Sequence, residues 1–330
     1  MYKADANRYD HCAPRPAGHS GLVLPPVSLG LWHHFSSADP LADRRQLILD
    51  AFDRGVFHFD VANHYGDGDE GSSETLLGQV LAHDLRPYRD ELVIATKIGY
   101  EIHPGPFGDG TSRKAILQGI DDSLTRLQLD YVDILYAHRF DDTVPLAETV
   151  RALDDVVRSG KALYIGVSNF ETAQAQKAIQ LFKELGTPFV LDQMSYNVLN
   201  RNVEDTGLLD TLRQGGVGVV AYGPLAEGLL SGRYLDGIPA DFPIHPTNKH
   251  IFAHGLDAAT KKLNDLNAIA TARHQTLAQM ALAWLLHDPV VASVVIGTTN
   301  TAHLEDNLKA VDNTQFSDDE LAAIDRIVRA

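Results

Sequence analysis

Short apolar segments alternate with longer amphipathic segments along most of this chain. The apolar segments are rich in β-branched residues and continuously hydrophobic, which is typical of parallel strands covered on both faces. Residues 41–54, which follow the first of them, place Leu47, Ile48, Ala51 and Phe52 at helical spacing. Each apolar segment is followed by helical material of this kind. The eight predicted strands are VSLGLW (27–32), GVFHFD (55–60), ELVIATK (91–97), YVDILYAH (131–138), ALYIGVS (162–168), PFVLDQ (188–193), GVGVVAY (216–222) and VVASVVIG (290–297).

Eight β-α units in 330 residues predict an α/β protein with a single (β/α)8 TIM barrel. On the pattern alone, an open doubly wound sheet is also consistent with the alternation. We interpret residues 1–330 as one barrel domain, with residues 1–20 as an N-terminal extension. Residues 14–26 hold four prolines and predict a hairpin before the first strand. Residues 223–254 are rich in Gly and Pro and predict a long loop after the seventh strand.

Composition and charge exclude several classes of protein. The chain has 28 basic and 44 acidic residues, a net charge of −16, which argues against a nucleic-acid partner. With one cysteine, Cys12, the chain cannot form an internal disulfide framework or a zinc ligand cluster. It also lacks an H-E-x-x-H motif, so the sequence predicts no metal site. Because no run of about 18 apolar residues and no signal-peptide core occurs, we expect a cytoplasmic protein without a membrane partner. The sequence leaves a homo-oligomer open.

Polar residues close the predicted strands. Asp60, Lys97 and His138 end three successive strands, and three hydrogen-bonding positions end the next three. In a barrel, the carboxyl ends of the strands meet at one mouth, where active sites are built. The later positions are Ser168 with Asn169, then Gln193, then Tyr222.

The residue types at this mouth favour proton transfer to an oxygen. A poorly solvated Lys97 needs a counter-ion, and Asp60 is placed to provide one. The ammonium is expected to lower the pKa of Tyr65, in the loop after Asp60, from its usual value of about 10. Tyr65 would then protonate a developing alkoxide, with His138 as a second hydrogen-bond partner. This suits carbonyl reduction, and because a barrel cannot supply the hydride, a nicotinamide cofactor is implied.

Six segments match the motif order of a known family from about residue 20 to the C-terminus. They resemble the aldo-keto reductase family. Within it, SLGLWHHF (28–35) and KIGY (97–100) are most similar to the bacterial glyceraldehyde-3-phosphate/methylglyoxal reductase branch, which is related to potassium-channel β-subunits. The six segments are FDVANHYG, ATKIGY, YVDILYAHR, IGVSNF (165–170), AYGPLAEG (221–228) and VIGTTNTAHLEDN (295–307).

The resemblance implies a role for each matching position. Asp60, Tyr65, Lys97 and His138 would form the catalytic tetrad, with Tyr65 as general acid. Small aldehydes or ketones, such as glyceraldehyde 3-phosphate or methylglyoxal, would be reduced to alcohols, a reaction that also serves aldehyde detoxification. Trp32, Tyr65, Tyr100 and His138 would line the substrate pocket. The implied cofactor-binding residues are Trp32, Ser168, Asn169, Gln193, Tyr222, Gly223, Pro224, Leu225, Ala226, Gly228, Arg233, Gly297, Thr299, His303, Asp306 and Asn307.

The phosphate-binding positions depart from the family pattern. Gly223 stands where the family often has a serine, and Asn300 and His303 stand where NADP-selective members usually have Lys or Arg. Arg233 could compensate, because a 2′-phosphate favours cationic partners. The resemblance therefore implies NADP(H), while the residues leave NAD(H) open.

Two other functions stay open at this stage. The channel-associated relatives suggest a cofactor-binding regulatory subunit with weak turnover. A cofactor-free isomerase or aldolase would instead use Lys97 as a Schiff-base amine. The complete set of Asp60, Tyr65, Lys97 and His138 favours an enzyme over the regulatory subunit, and borohydride trapping tests the Schiff base.

Overall fold

A computed structural model describes residues Tyr2–Arg329, and within them eight parallel strands close into a barrel. Neighbouring strands follow chain order, and the last strand pairs with the first, so the sheet has no free edge. The (β/α)8 prediction is confirmed and the open-sheet alternative is wrong. The strands are β1 (Arg15–Pro16) and β2 (Val23–Leu24), which form a separate hairpin, and the barrel strands β3 (Val27–Gly30), β4 (His58–Asp60), β5 (Val93–Ile98), β6 (Val132–Ala137), β7 (Ala162–Ser168), β8 (Phe189–Ser195), β9 (Gly218–Tyr222) and β10 (Val291–Ile296).

The helices lie outside the barrel and follow the predicted amphipathic segments with two differences. The helical material predicted to follow the strand at 188–193 is divided at Gly207, whose φ of 72° is left-handed and separates a first short helix from a second. The helix Leu256–Ala272 follows the long loop and has no counterpart among the predicted elements. The helices are α1 (Leu41–Phe52), α2 (Ser72–Val80), α3 (Arg113–Leu127), α4 (Leu146–Arg158), α5 (Thr172–Leu185), α6 (Asn202–Asp205), α7 (Leu208–Gly215), α8 (Leu256–Ala272), α9 (Leu277–Leu286), α10 (Thr301–Leu308) and α11 (Asp318–Arg329).

The N-terminal hairpin covers the end of the barrel opposite the mouth. The backbone N–H of His19 donates to Gly216 O at 2.7 Å, just before β9 begins. The Arg15 guanidinium donates to Val291 O at 2.9 Å, at the start of β10. The antiparallel pairing of β1 with β2 confirms the predicted hairpin, and these contacts place it at the amino ends of β9 and β10.

The barrel interior is packed tightly enough to predict the effect of one added methyl group. A Cβ on Gly166 of β7 would lie 2.2 Å from the buried Tyr136 ring and 3.1 Å from Leu191 O. We expect Gly166→Ala to cost about 1–3 kcal/mol of unfolding free energy, because neither the ring nor the strand can move freely. Thermal unfolding measures this, with Gly21→Ala as the control, since a Cβ there meets nothing within 4 Å. Equal unfolding temperatures for the two variants would contradict the packing argument.

Candidate active site

The strand register brings the predicted acid, amine and imidazole to one side of the mouth. Asp60 ends β4 and pairs with Ala95 of β5, and Lys97 lies two residues further along the same face of β5. His138 directly follows β6, and its backbone N–H donates to Ile98 O at 2.9 Å. Tyr65 reaches the same point from the loop after β4.

Lys97 contacts two of the other members of this cluster, Asp60 and Tyr65. Its ammonium donates to Asp60 Oδ2 at 2.5 Å, to the Val61 carbonyl at 3.0 Å and to Tyr65 Oη at 3.2 Å. The Lys97 side chain is fully buried, and Tyr65 is only 9% exposed. The other oxygen of Asp60 accepts from Gln193 Nε2 at 3.0 Å. The phenol therefore lies against a buried ion pair whose carboxylate is bonded on both oxygens.

Burial determines the proton affinities of these groups. It lowers the pKa of Lys97 and outweighs the opposing attraction of Asp60. Burial also raises the pKa of Tyr65 well above 10, and the Asp60 carboxylate adds to this rise. The expectation that the ammonium lowers this pKa is wrong for the free site, because the pair is overall close to neutral and the phenol is shielded from water. Tyr65 is consequently held in its protonated form at neutral pH.

His138 is a buried neutral imidazole beside this cluster. Burial lowers its pKa well below 6.5, and the cations Lys97 and Arg139 contribute to the shift. Its ring centroid lies 5.8 Å from that of Tyr65 and 4.8 Å from that of Tyr100. A neutral imidazole next to a protonated phenol offers two hydrogen-bond donors to one small acceptor.

A second group of polar side chains lines the opposite wall and is connected internally. The Asn169 amide donates to His138 O and to Ser168 Oγ, each at 3.1 Å. The Tyr222 hydroxyl donates to Asn169 Oδ1 at 2.8 Å, and Ser168 Oγ donates to Gln193 O at 2.9 Å. These bonds fix the orientation of the Asn169 amide, one of the groups that the family resemblance assigns to the cofactor.

The loop after β9 has the open backbone that a phosphate-bearing ligand requires. A Cβ on Gly223 would meet no atom within 4 Å, and the same holds for Gly297 after β10. Ala226 has a left-handed φ of 49°, so the chain turns sharply there. The Arg233 guanidinium is exposed and has no carboxylate partner within residues 2–329. The remaining predicted positions of this loop are Pro224, Leu225 and Gly228.

In the segment around α10, two side chains make hydrogen bonds within the protein and one is exposed. Asn300 caps the helix, its side-chain oxygen accepting from the N–H groups of Ala302 and His303. The Asp306 carboxylate accepts from Gln279 Nε2 at 2.8 Å and is thereby tied to α9. The His303 side chain is exposed, and Asn307 lies buried beside it on the helix. Thr299, also predicted to bind cofactor, lies in the loop between β10 and α10. The open loop and the exposed His303 fit the chemistry of a dinucleotide, and Arg233 is one cation of this loop without a carboxylate partner within residues 2–329.

Aromatic rings form the rim of the mouth. Trp32 is 46% exposed, stacks on His33 with a centroid distance of 4.0 Å and lies 6.1 Å from the Tyr65 ring. Tyr100 is 37% exposed, with Arg139 over its ring. Since the Arg139 guanidinium pairs with Asp109 at 2.9 Å, this arginine is already neutralised. The predicted substrate residues therefore surround one entrance.

Membrane-spanning helices and metal clusters are both absent from the described chain. Across residues 2–329, no helix is long and apolar enough to cross a membrane. Over the same residues, no three His, Cys, Asp or Glu side chains are grouped to hold a metal ion.

Comparison with known proteins agrees with this geometry. Residues 26–329 match the model of the aldo/keto reductase family. The chain is 46% identical to L-glyceraldehyde 3-phosphate reductase of Escherichia coli K12, over 99% of this chain and 95% of that protein. It is also 36% identical to a probable voltage-gated potassium channel subunit beta of Arabidopsis thaliana, over 89% of this chain and 90% of the relative. The chain therefore belongs to the aldo/keto reductase family of oxidoreductases.

Proposed function

We propose that this chain reduces small aldehydes or ketones to alcohols with NADPH, using Tyr65 as the general acid. The strongest support is the contact of Lys97 Nζ with both Asp60 and Tyr65 Oη inside a buried site. A Schiff-base role for Lys97 fits less well, because its nitrogen is fully buried in an ion pair.

The reduction adds a hydride to carbon and a proton to oxygen. Bound reduced nicotinamide would supply the hydride, and with it the two electrons that the carbonyl carbon gains. Tyr65 transfers its hydroxyl proton to the carbonyl oxygen as negative charge builds there. The phenolate that remains lies against the Lys97 ammonium, which stabilises it, and Asp60 holds that ammonium in place. His138 donates to the same oxygen and orients the carbonyl.

The cofactor contacts are proposed on the same basis. Ser168, Asn169 and Gln193 would hold the nicotinamide carboxamide, and Tyr222 would stack on the ring. The open backbone from Gly223 to Gly228 and around Gly297 and Thr299 would face the pyrophosphate. His303, Asp306 and Asn307 would lie near the adenosine.

Arg233 carries the preference for NADPH in this proposal. A guanidinium without a carboxylate partner is free to pair with a 2′-phosphate. We expect Arg233→Ala to weaken NADPH binding about tenfold and to leave NADH binding unchanged. Fluorescence titration with each cofactor measures both, and Arg233→Lys, which keeps the charge, is expected to lose less. An equal loss for NADPH and NADH would show that Arg233 does not read the phosphate.

The substrate is proposed from the similarity to the Escherichia coli reductase, whose name gives L-glyceraldehyde 3-phosphate. Methylglyoxal is a second small aldehyde of suitable size. Steady-state loss of NADPH absorbance with a panel of such aldehydes tests the function directly. No turnover with any of them, with NADPH or with NADH, would contradict the proposal.

A regulatory subunit is the second candidate, supported by the 36% identity to a channel subunit beta. Such a protein would bind cofactor and oxidise at most one equivalent of it slowly. Multiple turnovers per active site therefore favour the enzyme, and a single turnover favours the regulatory protein.

A further inference from the structure

His64, the residue before Tyr65, lies at the centre of the mouth but has no role in the reaction derived above. Its ring centroid is 4.8 Å from His138, 4.9 Å from Tyr65 and 5.0 Å from Tyr100. The side chain is half-buried, so part of its edge is open to the space that a substrate would enter.

The two imidazoles have the same pattern of hydrogen bonding at their ring nitrogens. Nδ1 of His64 and Nδ1 of His138 are both buried, and neither has a hydrogen-bond partner within residues 2–329. In neither ring is Nε2 a buried atom without a partner over the same residues. Both rings belong to the ring cluster that they form with Tyr65 and Tyr100 at the mouth. A buried N–H without an acceptor is rarer than a buried lone pair without a donor. The neutral rings therefore carry their proton on Nε2, and each directs an N–H toward the substrate.

The mouth holds three hydrogen-bond donors for the two lone pairs of one carbonyl oxygen, so one donor needs a second acceptor. A carbonyl oxygen has two lone pairs, and Tyr65 and His138 occupy both in the proposed reduction. The N–H of His64, whose ring contacts both of theirs, is left without a partner once substrate displaces water. An unpaired buried donor is costly, so a substrate with a second oxygen beside the carbonyl is favoured.

We propose that His64 binds the oxygen on the carbon next to the reacting carbonyl and so selects 2-oxo and 2-hydroxy aldehydes. This inference rests on the proposed reductase function, and it adds the residue that recognises the second oxygen shared by L-glyceraldehyde 3-phosphate and methylglyoxal. The partly exposed rings of Trp32 and Tyr100 border this ring cluster at the rim.

Three aldehydes that differ at one carbon test the proposal: propanal, 2-hydroxypropanal and 2-oxopropanal. The His64→Phe variant keeps the ring and removes the donor. We expect its kcat/KM to fall about tenfold for the two oxygenated aldehydes and less than about twofold for propanal. Each ratio is taken between variant and wild type for one compound, so hydration of the aldehyde in water cancels.

Further variants separate recognition from packing. His64→Leu also lacks the donor and must show the same selective loss if His64→Phe does not fold. The His64→Gln variant keeps an N–H near the Nε2 position and is expected to retain most of the preference. The exposed His103 is the control, because His103→Phe removes an imidazole from the loop after β5 without touching the ring cluster.

The outcomes separate failure of this inference from failure of the proposed function. If wild type reduces all three aldehydes and the donor-free variants lose activity equally on each, His64 only packs and this inference is wrong. If wild type shows no preference for the oxygenated pair, the inference is also wrong while the reductase function stands. If wild type reduces neither these three nor L-glyceraldehyde 3-phosphate with NADPH or NADH, the proposed function fails together with the inference.

Discussion

Replacing Tyr65 with phenylalanine is expected to lower kcat for aldehyde reduction by about 10²–10⁴-fold, the usual contribution of a positioned general acid. The variant keeps the ring and its packing against Trp32 and His138, so only the hydroxyl is lost. Steady-state and single-turnover rates measure the effect on chemistry, and fluorescence titration is expected to show nearly unchanged cofactor binding.

The pH profile of wild type gives an independent check on Tyr65. Its pKa lies well above 10 and that of His138 lies well below 6.5, so neither group changes charge near neutrality. We expect kcat/KM for reduction to be flat between about pH 6 and pH 9. It should fall only above that range, where the general acid loses its proton. Comparable turnover by Tyr65→Phe would exclude Tyr65 as the proton donor. A decline of the wild-type profile centred near neutral pH would assign the titration to another group, such as Lys97, whose pKa is lowered by burial.

The sequence predicted the grouping of Asp60, Lys97 and His138 for a physical reason. Residues that end parallel strands share one edge of the sheet, and closing the sheet places that edge around one mouth. The barrel itself followed from counting β-α units, although the pattern could not exclude an open sheet. Pairing of β10 with β3, which distinguishes the two, joins residues far apart in the chain and has no local signal.

What the sequence could not give was the environment of each group. The pKa of Tyr65 moves in the direction opposite to the prediction, because the extent of burial depends on tertiary packing. The bond from Gln193 to Asp60 crosses the barrel between residues 133 positions apart. His64 is adjacent to Tyr65 in the sequence, yet its importance depends on Tyr100 and His138, which other strands bring to it.

Replacing Lys97 with methionine is expected to have the second large effect, on stability as well as activity. Asp60 is 2% exposed, and its Oδ2 would lose its cationic partner. Breaking a buried ion pair from one side costs about 3–5 kcal/mol of unfolding free energy. The phenolate left by proton transfer would also lose its stabilising ammonium, so turnover should fall to the level of Tyr65→Phe or below. Denaturant unfolding and steady-state kinetics measure the two effects.

The double variant Asp60→Asn/Lys97→Met separates these effects. It removes the unpaired charge, and the oxygen of the introduced amide can still accept from Gln193, whose Nε2 lies 3.0 Å from Asp60 Oδ1 in the wild type. Most of the lost stability should therefore return, because a neutral pair avoids the desolvation cost. Activity should not return, since no cation then faces Tyr65 Oη. Recovery of turnover in the double variant would mean that Lys97 only neutralises Asp60 and that the proton of Tyr65 moves without the ammonium.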